Sequence, residues 1–172
     1  MGRLIFSTAL TVDGVMEVSD WFVAEGAQDA AGLALFDAVE AGLLGRGNFE
    51  GLRGYWSDKE GPWADRLNPM PKYVASRTLS EPLDWNATLL HGDLGESVAA
   101  LKDSLDGDLI AWGCGDLTRQ LVEAGLVDEL QFWIHPAAWG AGDRPKLDKV
   151  RLELISTEAF DSGVVLLRYR PA

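Results

Sequence analysis

Leu109-Ile110-Ala111-Trp112-Gly113-Cys114-Gly115-Asp116-Leu117 is the stretch on which the reading of this chain turns. An apolar run enters a glycine turn, and an amphipathic segment, residues 117–124, leaves it. A strand that ends in Gly-x-Gly ahead of a helix presents bare backbone N–H groups at the helix N-terminus, where no side chain obstructs a phosphate. The third glycine of the dinucleotide fingerprint is missing, and glycine also serves steric needs at many strand-to-helix turns, so the rest of the chain has to decide.

Downstream, Leu117, Leu121, Val122 and Ala124 form the apolar face of the helix that Gly125 caps. Residues 127–136 then hold a strand, with Leu130, Phe132 and Ile134 in partial alternation, and residues 151–160 and 164–169 two more. Asp161-Ser162-Gly163 between the last two is a hairpin turn signal. Upstream, Val98, Leu101 and Leu105 share one face of a helix over 94–105, and residues 72–76 and 87–91 read as short strands separated by a turn containing Pro82. Residues 55–70, rich in Trp, Gly, Pro and charge, read as an irregular surface loop, and 47–54 as one or two helical turns. Residues 41–44 are a buried strand, 28–39 an amphipathic helix through Ala30, Leu33, Ala34 and Ala38, and 3–12 a first strand ending at Asp13-Gly14. Alternating units of this kind predict an α/β fold: a mostly parallel sheet with helices on both faces and an antiparallel C-terminal hairpin, in one domain over 1–172.

Composition narrows the function. With 47% hydrophobic residues in 172 the chain can bury a sizeable core. A formal net charge of -12 argues against nucleic acid and anionic membrane, which clustered Lys and Arg bind, and favours a small ligand. The single cysteine, Cys114, excludes an internal disulfide and a multi-cysteine zinc site. His91 and His135 lack ligand spacing, so no metal site is expected. Residues 4–10 are too short and too polar at Ser7 and Thr8 for a signal peptide, and no apolar run reaches a membrane span, which predicts a soluble cytoplasmic protein.

At this point the sequence resembles a known family, the dihydrofolate reductase-like fold and within it the reductase domain of bacterial riboflavin biosynthesis with its stand-alone relatives. Ser7-Thr8-Ala9-Leu10-Thr11-Val12-Asp13-Gly14 is similar to the family's first strand and turn. Leu43-Leu44-Gly45-Arg46-Gly47-Asn48-Phe49-Glu50 resembles its Gly-Arg-x-Thr-aromatic-Glu motif, with Asn48 in place of threonine. Tyr73-Val74-Ala75-Ser76-Arg77, Trp112-Gly113-Cys114-Gly115, and Gly125-Leu126-Val127-Asp128-Glu129-Leu130 with Pro136 and Gly140-Ala141-Gly142 follow in the family's order. The resemblance implies a three-layer α/β/α sandwich and an NADPH-dependent reductase. Such an enzyme would pass hydride to a carbon–nitrogen double bond or sugar carbon of a small, pterin- or pyrimidine-like substrate, and it would be a homodimer.

Carried onto this chain, the resemblance puts Ala9 and Asp13 beside the nicotinamide and Gly45, Arg46, Asn48, Ser76 and Arg77 about the adenosine 2′-phosphate. Gly113, Cys114, Gly115, Asp116, Leu117 and Thr118 would lie under the pyrophosphate, with a cis peptide joining Gly113 to Cys114. Guanidinium suits the 2′-phosphate physically, and open α/β sheets place ligands beyond strand ends. Trp21, in the loop after the first strand, is the substrate-binding candidate, and Asp29 the candidate acid at the start of the first helix. Asp116 is an anion beside the pyrophosphate unless it caps its own helix. The competing readings are a non-catalytic nucleotide-binding or assembly protein that retains the fold, and another nucleotide ligand such as S-adenosylmethionine or a flavin.

Overall fold

From Asp108 to Ala111 every residue of one short strand is buried, with Leu109 and Ala111 packing toward one face and Ile110 toward the other. A strand apolar on both faces belongs inside a sheet that is covered on both sides. The computed structural model describes residues 1–172 and shows that arrangement. In chain order the elements are β1 (Leu4–Thr11), α1 (Gly26–Ala34) with a 3-10 turn (Leu35–Asp37), β2 (Val39–Gly45), α2 (Arg46–Trp56), α3 (Pro62–Leu67), β3 (Lys72–Ala75) and β4 (Ala87–Leu89). Then come α4 (Leu94–Ser104), β5 (Asp108–Trp112), α5 (Asp116–Glu123), β6 (Glu129–His135), β7 (Leu152–Ala159) and β8 (Val165–Pro171).

The strands form a single sheet in the order β4-β3-β2-β5-β1-β6-β8-β7. The first six are mutually parallel, and β8 and β7 join antiparallel. Leu4, Phe6, Leu43, Leu109 and Leu130 meet Val98 and Leu101 of α4 and Leu121 of α5 on one face. The opposite face is covered by smaller clusters: Phe36, Leu67 and Met70 on Ile110, Phe49 of α2 on Leu44 and Val74, and α1 side chains on Trp133 and Leu166. All carboxyl ends of the parallel strands therefore lie along one edge of the sheet, β2 beside β5 and β5 beside β1.

Two expectations need correction. Residues 55–70 are not a surface loop: α2 runs on to Trp56, α3 starts with Pro62 at a position where its missing N–H costs nothing, and Ala64, Leu67 and Met70 are buried. The Gly113–Cys114 peptide is trans, and the one cis bond precedes Pro82. Gly113 reverses the chain through its φ of +83° instead. The C-terminal hairpin is antiparallel as expected; it docks through β8, whose Leu166 is buried beside Trp133, and leaves β7 as the outer edge. That edge is blunted by a register shift between Leu154 and Ser156 and by Glu153 and Glu158.

Candidate functional site

Two helix N-termini and three strand ends meet at the carboxyl edge. Gly45 ends β2, and α2 begins at once with Arg46, while β5 ends at Trp112 and α5 begins at Asp116. The two corners touch: a Cβ on Gly45 would stand 3.9 Å from Leu117 Cδ2, and one on Gly113 would stand 3.2 Å from Asn48 Nδ2. Asn48 Nδ2 donates to the carbonyl of Trp112, tying the first turn of α2 to the last residue of β5. No atom would meet a Cβ on Gly47 or Gly115, so the space above both turns is open. The first N–H groups of α2 and α5 have no partner inside their helices.

Arg46 is half-exposed and reaches across to the end of β3. Its Nη1 donates to Thr78 Oγ1 at 2.8 Å, and its Nε pairs with Glu50 at 2.9 Å. The Ser76 hydroxyl accepts from the N–H groups of Thr78 and Leu79 at 3.2 and 3.1 Å, which shapes the loop beside it. Arg77 is exposed and makes no ion pair. Arg46, Ser76 and Arg77 are thus brought to one corner, and Thr78 joins them, a residue that sequence reasoning passed over although it shares the Ser-Arg-Thr stretch.

At the glycine turn Cys114 and Thr118 are buried while Asp116 is exposed. Cys114 is fully buried, and burial pushes its thiol up to about 11, so no thiolate chemistry is available near neutral pH. Thr118 is buried and its hydroxyl donates to the carbonyl of Gly113 at 3.2 Å, closing the turn. Leu117 is half-buried against the core, and Gly115 is the residue preceding the helix. Asp116 is exposed, with Lys146 Nζ 3.2 Å from Oδ2 and Arg119 Nε 4.0 Å from Oδ1. Lys146 was not foreseen; the one available signal is Leu147, a lone apolar residue in a charged stretch, which packs against the core and carries its neighbour to the turn.

The remaining candidates are not gathered at this corner. Ala9 lies near the end of β1, in register with Trp133 of β6. The Asp13 carboxylate accepts from Thr11 Oγ1 and from the N–H groups of Trp139 and Gly140, at distances of 2.7 to 3.1 Å for the amides. Those donors hold it down to about 2, and it serves to fasten the loop after β1 to the loop after β6. Trp21 is 4% exposed, with its ring edge-on to His135 at 5.1 Å and its Nε1 donating to the carbonyl of Glu17. A ring so enclosed packs the loop against β6. Asp29 is half-buried on α1, and its Oδ1 accepts from Trp63 Nε1 at 2.7 Å. Trp63 in turn lies against Gly32 and Phe36, 5.6 Å between the two rings, so Asp29 and α3 fix each other in place.

No helix is long and apolar enough to cross a membrane. A model of the RibD C-terminal domain family matches residues 3–166. The uncharacterized protein YyaP of Bacillus subtilis is 29% identical over 179 residues, covering 97% of this chain and 94% of its own length. A Shewanella sp. PV-4 protein provisionally assigned to riboflavin biosynthesis superposes with a TM-score of 0.78 at 19% identity, covering 100% of this chain and 99% of that one. A dihydrofolate reductase from Enterococcus faecalis, complexed with NADP(H) and RAB-propyl, does so with a TM-score of 0.66 at 18% identity, covering 99% and 96%. The architecture is the dihydrofolate reductase-like α/β sandwich, antiparallel C-terminal strands included.

Proposed function

The chain belongs to the RibD C-terminal domain family, and from that membership we propose that it is an NADPH-dependent reductase that passes hydride to a small, pterin- or pyrimidine-like substrate. The observation that carries this reading is the corner where the Gly113–Gly115 turn and Arg46 share one strand edge with open space above Gly47 and Gly115. A diphosphate fits the free N–H groups of the two helix N-termini, and the 2′-phosphate that distinguishes NADPH fits the guanidinium groups of Arg46 and Arg77. Asp116 is the feature that opposes such a ligand, and Lys146 offsets its charge.

Bound there, the cofactor would supply the hydride, and the chain's own residues bind, orient and exclude water, which accounts for a site without a nucleophile. Arg46 has to leave Glu50 or share itself with the phosphate, an exposed pair whose loss costs little. Asp29, held by the Trp63 indole, is the carboxyl group on α1 nearest in kind to a proton donor. We place the protein in the cytoplasm, where a lone buried thiol and no disulfide are at home. Exposed Leu154 and Ile155 on the outer strand form a surface for a second copy, and solution mass across a concentration series tests that assembly.

Titrating NADPH and NADH against intrinsic tryptophan fluorescence tests the function. The wild type should prefer NADPH, and Arg46→Ala should weaken NADPH by about tenfold while moving NADH much less, since a charge-assisted phosphate contact is worth ~1.5 kcal/mol or more. A response to neither nucleotide would favour the non-catalytic reading instead.

A further inference from the structure

We propose that Lys146 and Asp116 form a counterion latch on the glycine turn, in which Lys146 is the cation a dinucleotide's diphosphate recruits and Asp116 the internal anion it displaces. The proposal rests on the reading of the turn as a diphosphate site and adds to it a ligand-sensing pair contributed by a distant segment.

Residues 136–151, which join β6 to β7, form no helix or strand, yet part of this connection is strapped across the molecule. The carbonyl of Asp143 accepts from Met16 N at 2.8 Å, and the N–H of Lys146 donates to the carbonyl of Cys114 at 2.6 Å. Leu147, partly buried, then packs against the core cluster to which α4 and α5 contribute. The backbone of Lys146 is therefore anchored beside the turn, which keeps its side chain within reach of the turn whether or not it pairs with Asp116.

The charges around the turn divide unevenly. Arg119 Nη1 already pairs with Glu123 at 2.8 Å and lies 3.7 Å from Asp148. Lys146 Nζ has Asp116 as its one partner, at 3.2 Å, with both side chains more than half exposed and free to turn. Asp116, in the first turn of α5, supplies the negative charge that a helix N-terminus favours. A diphosphate arriving at the same N–H groups carries more charge, takes over both the helix end and the ammonium group, and pushes Asp116 toward solvent. Asp116 thus lowers affinity in proportion to its own charge, and Lys146 raises it.

The test uses two probes at physiological ionic strength, where charges beyond about 8 Å are screened. NADPH carries the diphosphate, and adenosine 2′-phosphate carries the other phosphate alone. Asp116→Asn should tighten NADPH about three- to fivefold and Lys146→Met should weaken it by a similar factor, as partner exchange at an exposed pair implies. Neither should move adenosine 2′-phosphate by more than about twofold, a distance-screened remainder. Because the two effects oppose, the double variant should bind NADPH within a few-fold of the wild type, and Asp116→Asn should tighten binding less in the Lys146→Met background than in the wild type, since there is no longer an ion pair for the ligand to break. Equal NADPH affinity in the wild type and both single variants overturns the latch and leaves the reductase reading intact. A parallel shift of both probes also overturns it, since that marks a general effect of charge or folding. If NADPH binds none of the four proteins, the turn is not a diphosphate site and the latch falls with it.

Discussion

Lys72 is an amine 1% exposed, and burying it has a consequence for stability that can be read against pH. Its Nζ donates to the carbonyl of Met70 at 2.7 Å and of Asn68 at 3.3 Å and stands 4.1 Å from the centre of the Trp85 ring, with no carboxylate as partner. Desolvation lowers its pKa from 10.5 to about 8. Between those values the unfolded chain holds the proton and the folded chain has released it, so stability rises with pH across the window and is complete above 10.5. At 1.36 kcal/mol per pKa unit the increment is about 3 kcal/mol at most. Lys72→Met keeps the length of the side chain and removes the titration. Urea unfolding of both proteins at several pH values from 7.5 to 10.5 should show the wild type gaining on the variant through the window, with other titrating groups cancelling in the difference. The two lost carbonyl contacts set the offset between the curves and leave their divergence untouched. A difference that stays constant, or one that shrinks as pH rises, refutes the account of a desolvated amine.

Asp13, held down to about 2, supports the native state above the ordinary carboxylate value of 3.8 and loses that contribution as pH falls from there toward 2. The stability difference between wild type and Asp13→Ala should therefore be full at pH 6 and collapse on acidification; equal acid titration curves for the two would remove Asp13 from its fastening role. Gly113→Ala places an L residue at φ +83° and a Cβ 3.2 Å from Asn48 Nδ2, so it should lower stability by about 1–2 kcal/mol. It should weaken NADPH as well, and an unchanged urea midpoint would show that the turn has a conformation open to side chains.

How much of this was legible in the sequence depended on whether the cause of each element was local. The β5 strand and α5 announced themselves because their apolar periods are complete within a few residues on either side of the glycine turn. The helix α3 did not, since it shows only Ala64 and Leu67 among Trp, Pro and charge, and part of its reason to exist lies in α1, where Gly32 leaves room for the Trp63 ring and Asp29 accepts its N–H. The docking of the hairpin through β8 is likewise a matter of partnership. Leu166 and Trp133 settle it by packing together, and neither strand carries that information alone. The packing of Trp21 was hidden for the same reason: a tryptophan in a loop gives no sign that a histidine on β6 will lie against it.

The departures from the family's pattern at the candidate site come apart on the same principle. Cys114 is fully buried and fills the inside of the turn. Asn48 spends its amide on the carbonyl of Trp112, and a threonine hydroxyl at that position would have to bridge the same two elements with a shorter arm. Both residues act on the shape of the corner, and shape is what backbone N–H groups need to face a phosphate. Asp116 differs in kind, because it is exposed and charged, and no local pattern discloses the lysine thirty positions on that pairs with it. What glycine spacing can reveal is a backbone left bare; the charge that Lys146 brings beside that backbone comes through a strap whose position only the folded chain defines.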